Sequence, residues 1–544
     1  MKPLLLTLLA VAALPASDTI LLHGHIYTGN MAAPWAEAIG ISGTHIDAIG
    51  SDVQVERGKT AQTRVIDLLG RTVIPGVVDI HQHLMYGGMA IQGFNLSTPE
   101  FNITPDEPDV FVATLKVQAA NHPNDRVLYG RASFSTAPNS SAKLELLDRA
   151  VSDRPLVIHN WNEHALWVNS KALALAGIAT KPLRDASLEQ FIVRDPAGRP
   201  TGVVRESAMQ MVNDALPAMK LEQRASILRD AAHYLNSFGI TSVAELTGDL
   251  EELEALGALR SRGELTLRVR VGFAKVAVNH KATPAFFAEL EKARSLYHDD
   301  WITANLVKFF ADGLGNPLFY QPADYGNIIR ELDRRGFQIV THAIGTDGVH
   351  AMLEGYQELE KSNGPRDRHL RAEHVTGIRE EDIGRFATLQ TIAGMQPAFC
   401  CRDGRSNQMG SMQRNAALLT LSSDWPCSWP PDPMAGIQQA VLRARSRPVT
   451  IHGPEPGAAV YTLPEERLTV EQALAGYTRN PARANFTEAK TGTLEAGKEA
   501  DLAVLSANLF DVAQNEIGKI KVLMTMVAGK VVFEAPAEMA RGKF

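Results

Sequence analysis

Two histidines stand two positions apart in "DIHQHLMYGG" (residues 79–88), directly after the apolar run "RTVIPGVV". In an extended strand, side chains two apart share a face, so Asp79, His81 and His83 would point the same way and the histidine pair could chelate one metal ion. The spacing also fits two polar residues where a loop begins, so the pair alone decides nothing. Further along, Lys308, His342, His374 and Asp424 lie in or at the end of apolar segments: "NLVKFFADG", "GFQIVTHAIG", "HLRAEHV" and "AALLTLSSDWP". Imidazole nitrogens with a carboxylate suit a divalent transition metal. What matters is whether one fold brings these side chains together.

The segments that carry them form a series. After the strand holding His81 come "GITSVAEL", "LTLRVRVGF", "NLVKFFADG", "GFQIVTHAIG", "HLRAEHV", "QTIAGMQP" and "AALLTLSSDWP", separated by helical patterns such as "LEQRASILRDAAHYLNSF". Strand and helix alternating eight times is the pattern of an α/β (β/α)8 TIM barrel, whose active sites form at the C-terminal ends of the strands. His81 and His83 on strand one, Lys308 on strand four, His342 on five, His374 on six and Asp424 on eight would then share one rim. Such a set is a far stronger indication of a metal site than any one of its members.

The rest of the chain sets the context. At 544 residues, 45% hydrophobic and 21% charged, it is long enough for more than one domain and a large core. A formal net charge of -7, with no block of Lys or Arg, argues against a nucleic-acid partner and for a small-molecule one. Residues 1–16, "MKPLLLTLLAVAALPA", have the basic start, short apolar stretch and small-residue end of a signal peptide, which predicts an exported protein, periplasmic if bacterial and otherwise secreted. The apolar stretch is too short for a stable membrane anchor. Three cysteines, two of them adjacent, predict no disulfide framework.

Residues 17–74 read as short strands broken by Gly and Asn, and residues 485–544 repeat that style, so both chain ends are expected to form one composite β-sandwich domain. The barrel is expected over residues 75–484. Its stretch of about 89–235 is too long for an ordinary connection and is predicted to be an insertion with its own structure.

The motifs "PGVVDIHQH", "VKFFADG", "THAIG", "RAEHV" and "SSDWP", with "EHALWVNSKAL", "YTRNPAR" and "GTLEAGKEADLAVL", resemble the metal-dependent amidohydrolase superfamily, and within it the large amidohydrolases that include N-substituted formamide deformylases. The resemblance implies hydrolysis of an amide bond of a small N-acyl or N-formyl compound. It implies His81 and His83 on one metal ion, His342 and His374 on a second, and Asp424 as both ligand and catalytic acid/base. Lys308 resembles the carboxylated lysine whose carbamate, derived from carbon dioxide, bridges the two ions; an ion pair with Asp312 is its alternative. Zinc is the default among the divalent metals. Two cations would bring a bridging water to hydroxide near neutral pH, and Asp424 would carry its proton to the departing nitrogen.

Substrate contacts are less legible. His164 in "WNEHALWVNS", Glu206 in "TGVVRESA" and Trp425 beside Asp424 are candidates, while His164 also suits a helix cap and Trp425 also suits ordinary aromatic packing. Asp79 reads as a supporting carboxylate. His23, His25, His280, His350 and His452 read as ordinary surface or loop histidines. Two rival functions remain: a mononuclear deaminase or cyclic-amidine hydrolase of the same superfamily, and a non-catalytic binding protein. The substrate and the oligomeric state, homo-oligomer included, are not written in the sequence.

Overall fold

The protein is described by a computed structural model covering residues 16–98, 103–178, 183, 186–274, 283–312, 318, 322–400, 407–444 and 463–536. Residues 1–15 of the expected signal segment, and His280 and His452, lie outside these residues.

Eight parallel strands form one sheet in chain order: β1 (Val77–Gln82), β2 (Ile240–Gly248), β3 (Arg268–Phe273), β4 (Ile302–Phe310), β5 (Gln338–Ile344), β6 (Arg371–Thr376), β7 (Ile392–Met395) and β8 (Leu419–Leu421). β1, β3 and β7 are buried along their whole length. In β7, IAGM, burial on both faces gives an unbroken apolar run, whereas β1 and β3 also bury polar side chains, Asp79, His81, Arg268 and Arg270 among them. The edges of the sheet meet just beyond β8: Gln82 and Trp425 form a parallel bridge, Asp424 N donates to the His81 carbonyl at 3.0 Å, and His83 N donates to the Trp425 carbonyl at 2.9 Å. The barrel is therefore nearly closed, and its seam runs through the candidate ligands.

Helices follow the strands and cover the barrel. The helix Leu250–Arg262 shows how the sequence sets their limits: the Asp249 side chain accepts from Glu252 N at 2.8 Å, acids fill the first turn, Arg260 and Arg262 the last, and Gly263 ends it at φ 70°. The helix Leu221–Asn236, at the end of the stretch 89–235, contributes Ala225, Leu228, Ala231 and Leu235 to the barrel's apolar core, as a helix between barrel strands does. Between the helix Leu84–Gln92 and that helix lies a separate six-stranded sheet whose strands run from Phe94–Asn95 to Pro200–Arg205, with apolar clusters of its own around Phe111, Trp167 and Leu147, and around Val157, Leu166 and Val204.

Outside the barrel, a four-stranded sheet comes from residues 19–67, while a six-stranded sheet mixes both ends of the chain. In the second, Leu502–Leu505 pairs antiparallel with Thr72–Pro75, the segment leading into β1. One apolar cluster joins the two sheets through Leu21, Ile41 and Ile46 of the first and Val73, Leu502 and Met526 of the second.

Candidate metal centre and substrate cavity

Strand alternation along β1 turns Asp79 and His81 into the barrel, and His83 follows at the start of the helix Leu84–Gln92. Asp424 lies beyond the end of β8 with φ 57°, and His374 near the end of β6 has φ 73° with Val375 at 48°. Positive φ is uncommon for non-glycine residues and strained for a β-branched one, and strain of this kind gathers at functional sites. It re-aims His374 so that both it and the preceding Glu373 act on the barrel interior.

Three donors converge. Asp424 Oδ1 is 3.0 Å from His83 Nε2 and 3.3 Å from His81 Nε2, and one ligand atom from each residue lies within 4.8 Å of the others. Among the described residues this is the one group of three or more His, Cys, Asp or Glu side chains that meets such a spacing. Lys308 Nζ is 3.3 Å from His81 Nε2. The His374 ring centroid is 4.8 Å from that of His81 and 4.4 Å from that of His342.

Hydrogen bonds behind the histidines assign their tautomers. His81 Nδ1 is 2.7 Å from Glu373 Oε2, a carboxylate whose other oxygen accepts from Arg371 Nη2 at 2.7 Å and Nε at 3.0 Å. His83 Nδ1 is 2.9 Å from Thr247 Oγ1, and that hydroxyl donates its own proton to Glu245 Oε1 at 2.8 Å, so it accepts from the ring. His374 Nδ1 donates to Gln396 Oε1 at 2.9 Å, while Gln396 Nε2 donates to Ser422 Oγ at 3.0 Å. Each ring thus carries its proton on Nδ1. The Nε2 lone pairs of His81 and His83 then face a carboxylate oxygen with no proton between them, a repulsive contact unless a cation is shared. That arrangement fits a divalent metal ion.

Electrostatics agrees with neutral ligands. Burial holds His81 well below its ordinary range, with the Lys308 charge adding to the effect, and burial holds His374 down to about 4 despite the opposing charge of Asp424. Burial also brings Lys308 down to about 8, against the pull of Glu373 and Asp424. Asp79 is raised to about 7 by burial, and it accepts from Ser423 N at 3.0 Å and His81 N at 3.2 Å, tying the loop after β8 to β1.

Above these residues opens a cavity of about 780 Å³, lined by His81, His83, Lys308, His342, His374 and Asp424 together with residues from the inserted sheet and its surroundings. His164 and Glu206 line it too, paired at 3.1 Å, and the His164 ring stands 5.7 Å from that of His342. Burial opposes the charge on His164, but the hydrogen bond and charge of Glu206 outweigh it and raise its pKa. Trp425 does not line the cavity. Its fully buried ring packs against Gly87, Tyr234 and Trp429, because the chain turns outward after Asp424, so the expectation that it touches substrate is corrected. Nor does Lys308 pair with Asp312: among the described residues Asp312 accepts from Ile344 N at 3.1 Å and faces His342 Nε2 at 3.6 Å. Cys427 is a free thiol on the cavity wall.

Sequence reasoning missed Glu373, Gln396 and Thr247 behind the ligands, and the trio in which Glu163 pairs with Arg131 and lies 2.7 Å from His159 Nδ1. Glu373 could have been suspected from its place beside His374 in "RAEHV"; nothing local distinguishes the others.

The protein-family profile described as "Amidohydrolase family" matches residues 64–533. The chain belongs to the amidohydrolase family. This amidohydrolase is a hydrolase of carbon–nitrogen bonds. It is 26% identical to Protein LONG AFTER FAR-RED 3 of Arabidopsis thaliana, over 95% of this chain and 92% of the relative. It is 24% identical to the N-substituted formamide deformylase of Arthrobacter pascens, over 95% of this chain and 98% of that enzyme. In fold the amidohydrolase is similar to an uncharacterized metal-dependent hydrolase from Pyrococcus horikoshii, with a TM-score of 0.70, 20% identity, and coverage of 91% of this chain and 99% of that one.

Proposed function

We propose that this amidohydrolase cleaves the amide bond of a small N-acyl or N-formyl compound at a two-metal site. The observation that carries the reading is the convergence of His81 Nε2, His83 Nε2 and Asp424 Oδ1 at the floor of the cavity, with Lys308 Nζ 3.3 Å from His81 Nε2. His81, His83 and Asp424 would hold one ion, His342 and His374 a second, and a carbamate on Lys308 would join them. Burial leaves the Lys308 amine substantially neutral near pH 8, the form that takes up carbon dioxide. Zinc suits a donor set of imidazoles and carboxylates. When bound, such ions supply Lewis acidity toward water and toward the scissile carbonyl.

The chain's own groups handle the proton. Hydrolysis delivers hydroxide to the acyl carbon and a proton to the departing nitrogen, and without that proton an amine anion would have to leave. Asp424 takes the proton from the attacking water and gives it to the nitrogen. His164 and Glu206, paired on the cavity wall, orient the amide. Export through the N-terminal leader, and a single composite sandwich built from the two terminal sheets, belong to the same reading.

That the described residues hold a single three-residue cluster favours one rival, a mononuclear deaminase or cyclic-amidine hydrolase. Metal content of protein purified without added metal, measured beside a Lys308→Ala variant, separates the two. Near two ions per chain, falling in the variant, with turnover of N-formyl amines, supports the two-metal amidohydrolase. One ion in both, with ammonia released from nucleobases, supports the rival.

A further inference from the structure

Next to His83 the cavity wall is acidic in a way that ligand support does not require. Asp249 and Glu252, at the start of the helix after β2, both line it, and Glu245 lies directly behind them. Glu245 is occupied, since it accepts from Leu84 N, Thr247 N and the Thr247 hydroxyl. Glu252 is not: it is 3% exposed, and its Oε1 has no hydrogen-bond partner. An unpartnered buried carboxylate oxygen costs free energy unless a ligand satisfies it. The Tyr86 ring completes the wall, centred 6.2 Å from that of His83 and 5.0 Å from that of His159.

The nearby arginines already have carboxylate partners. Arg224, which also lines the cavity, pairs with Glu251, and Arg131 pairs with Glu163. Burial first, and then Glu245 and Asp249, hold the Glu252 carboxyl well above its ordinary value, with Arg224 opposing. A cationic group placed against it would restore the charged form. An aromatic face beside carboxylates is the usual surrounding of an alkylammonium.

We infer that Asp249, Glu252 and Tyr86 form a subsite for a cationic group, so that the favoured substrates are N-acylated or N-formylated compounds bearing a second, basic amine. This rests on the amide-hydrolase reading for the word substrate, but binding at the subsite is testable without it. Other walls of the cavity, with Met85, Met89, Met209 and Leu216, would take the aliphatic chain between amide and ammonium.

The test uses the full-length metal-loaded protein. Binding of n-hexylammonium and of n-hexanol is measured by calorimetry on the wild type, Glu252→Gln and Asp249→Asn; the last keeps a residue able to cap the helix. The expected result is ammonium binding about tenfold tighter than the alcohol, with the difference lost in the variants. Equal binding in the wild type, or an unchanged preference in every variant that folds, overturns the subsite. In parallel, kcat/KM for mono-N-formylcadaverine should exceed that for N-hexylformamide by a similar factor, and Glu252→Gln should lower only the former. If the ammonium preference holds and no formamide is hydrolysed, the subsite stands and the amide-hydrolase reading fails.

Discussion

Glu373 Oε2 lies 2.7 Å from His81 Nδ1, and both residues are buried, Glu373 completely. The carboxylate thereby fixes the imidazole with its Nε2 toward the cavity while neutralising Arg371, which also donates to the Ile80 carbonyl at 2.6 Å. Glu373→Gln keeps the volume and removes the charge. Metal affinity should fall by about 10- to 100-fold, the usual loss when the group behind a ligand is changed. The buried guanidinium left without its partner should cost about 3 kcal/mol. Competition with a chelator and thermal unfolding read the two effects; unchanged affinity would show that this contact does not orient the ring.

Gly394 tests the same contact from the other side. A Cβ there would stand 2.6 Å from Glu373 Oε2 and 2.7 Å from Oε1, so Gly394→Ala must displace the carboxylate. It should lower metal affinity in the direction of Glu373→Gln although residue 394 touches no ligand. Wild-type affinity in the alanine variant would show that the carboxylate can move without disturbing His81.

Asp424→Asn should separate binding from turnover. The amide oxygen still donates a lone pair while the proton carrier is gone, so metal content should remain and kcat should fall by about 10²- to 10⁴-fold. Elemental analysis beside kinetics on an N-formyl amine checks this, and turnover near the wild-type rate would remove Asp424 from the proton path.

Lys308 gives a dependence on pH whose sign is fixed by its pKa of about 8 in the fold against an ordinary 10.5. Below pH 8 the ammonium is charged in the folded and the unfolded chain alike. Between about 8 and 10.5 the folded chain releases its proton first, the unfolded chain binds more, and the stability of the metal-free protein should rise with pH. Lys308→Met should lack that rise, as denaturant titrations across the window would show. Because carbon dioxide reacts with the neutral amine, recovery of activity by metal-free protein given zinc, at a dissolved carbon dioxide concentration held constant by adjusting bicarbonate, should also quicken as pH rises through 8. Recovery indifferent to bicarbonate would argue against the carbamate.

The sequence exposed much of this arrangement, for physical reasons. All eight barrel strands overlap segments rich in apolar residues because most of their side chains are buried, as at Leu306, Val307 and Phe309. His81, His83 and Asp424 were visible because polar side chains at the ends of such runs stand out. Glu373 and Gln396 were not, since their roles depend on register between strands: His342 pairs with Glu373, and Glu373 in turn with Gly394, across sequence separations that no local pattern encodes. For Trp425, open in sequence between substrate contact and aromatic packing, the backbone turn at Asp424 with φ 57° sends the indole against Gly87 and so into packing. The helix Leu221–Asn236, which the sequence offers both as a helix between barrel strands and as part of the stretch 89–235, packs on the barrel core.

The seam between β1 and the segment after β8 has a consequence for biosynthesis. His83 and Asp424 are separated by 341 positions, and the bonds joining them also close the barrel. A ribosome releases the two histidines long before the aspartate, and a nascent chain holding only the first pair lacks both the third member of the candidate site and the wall that orients it. On the proposed metal assignment, loading would come late, since an emerging chain has no finished centre before its barrel is complete.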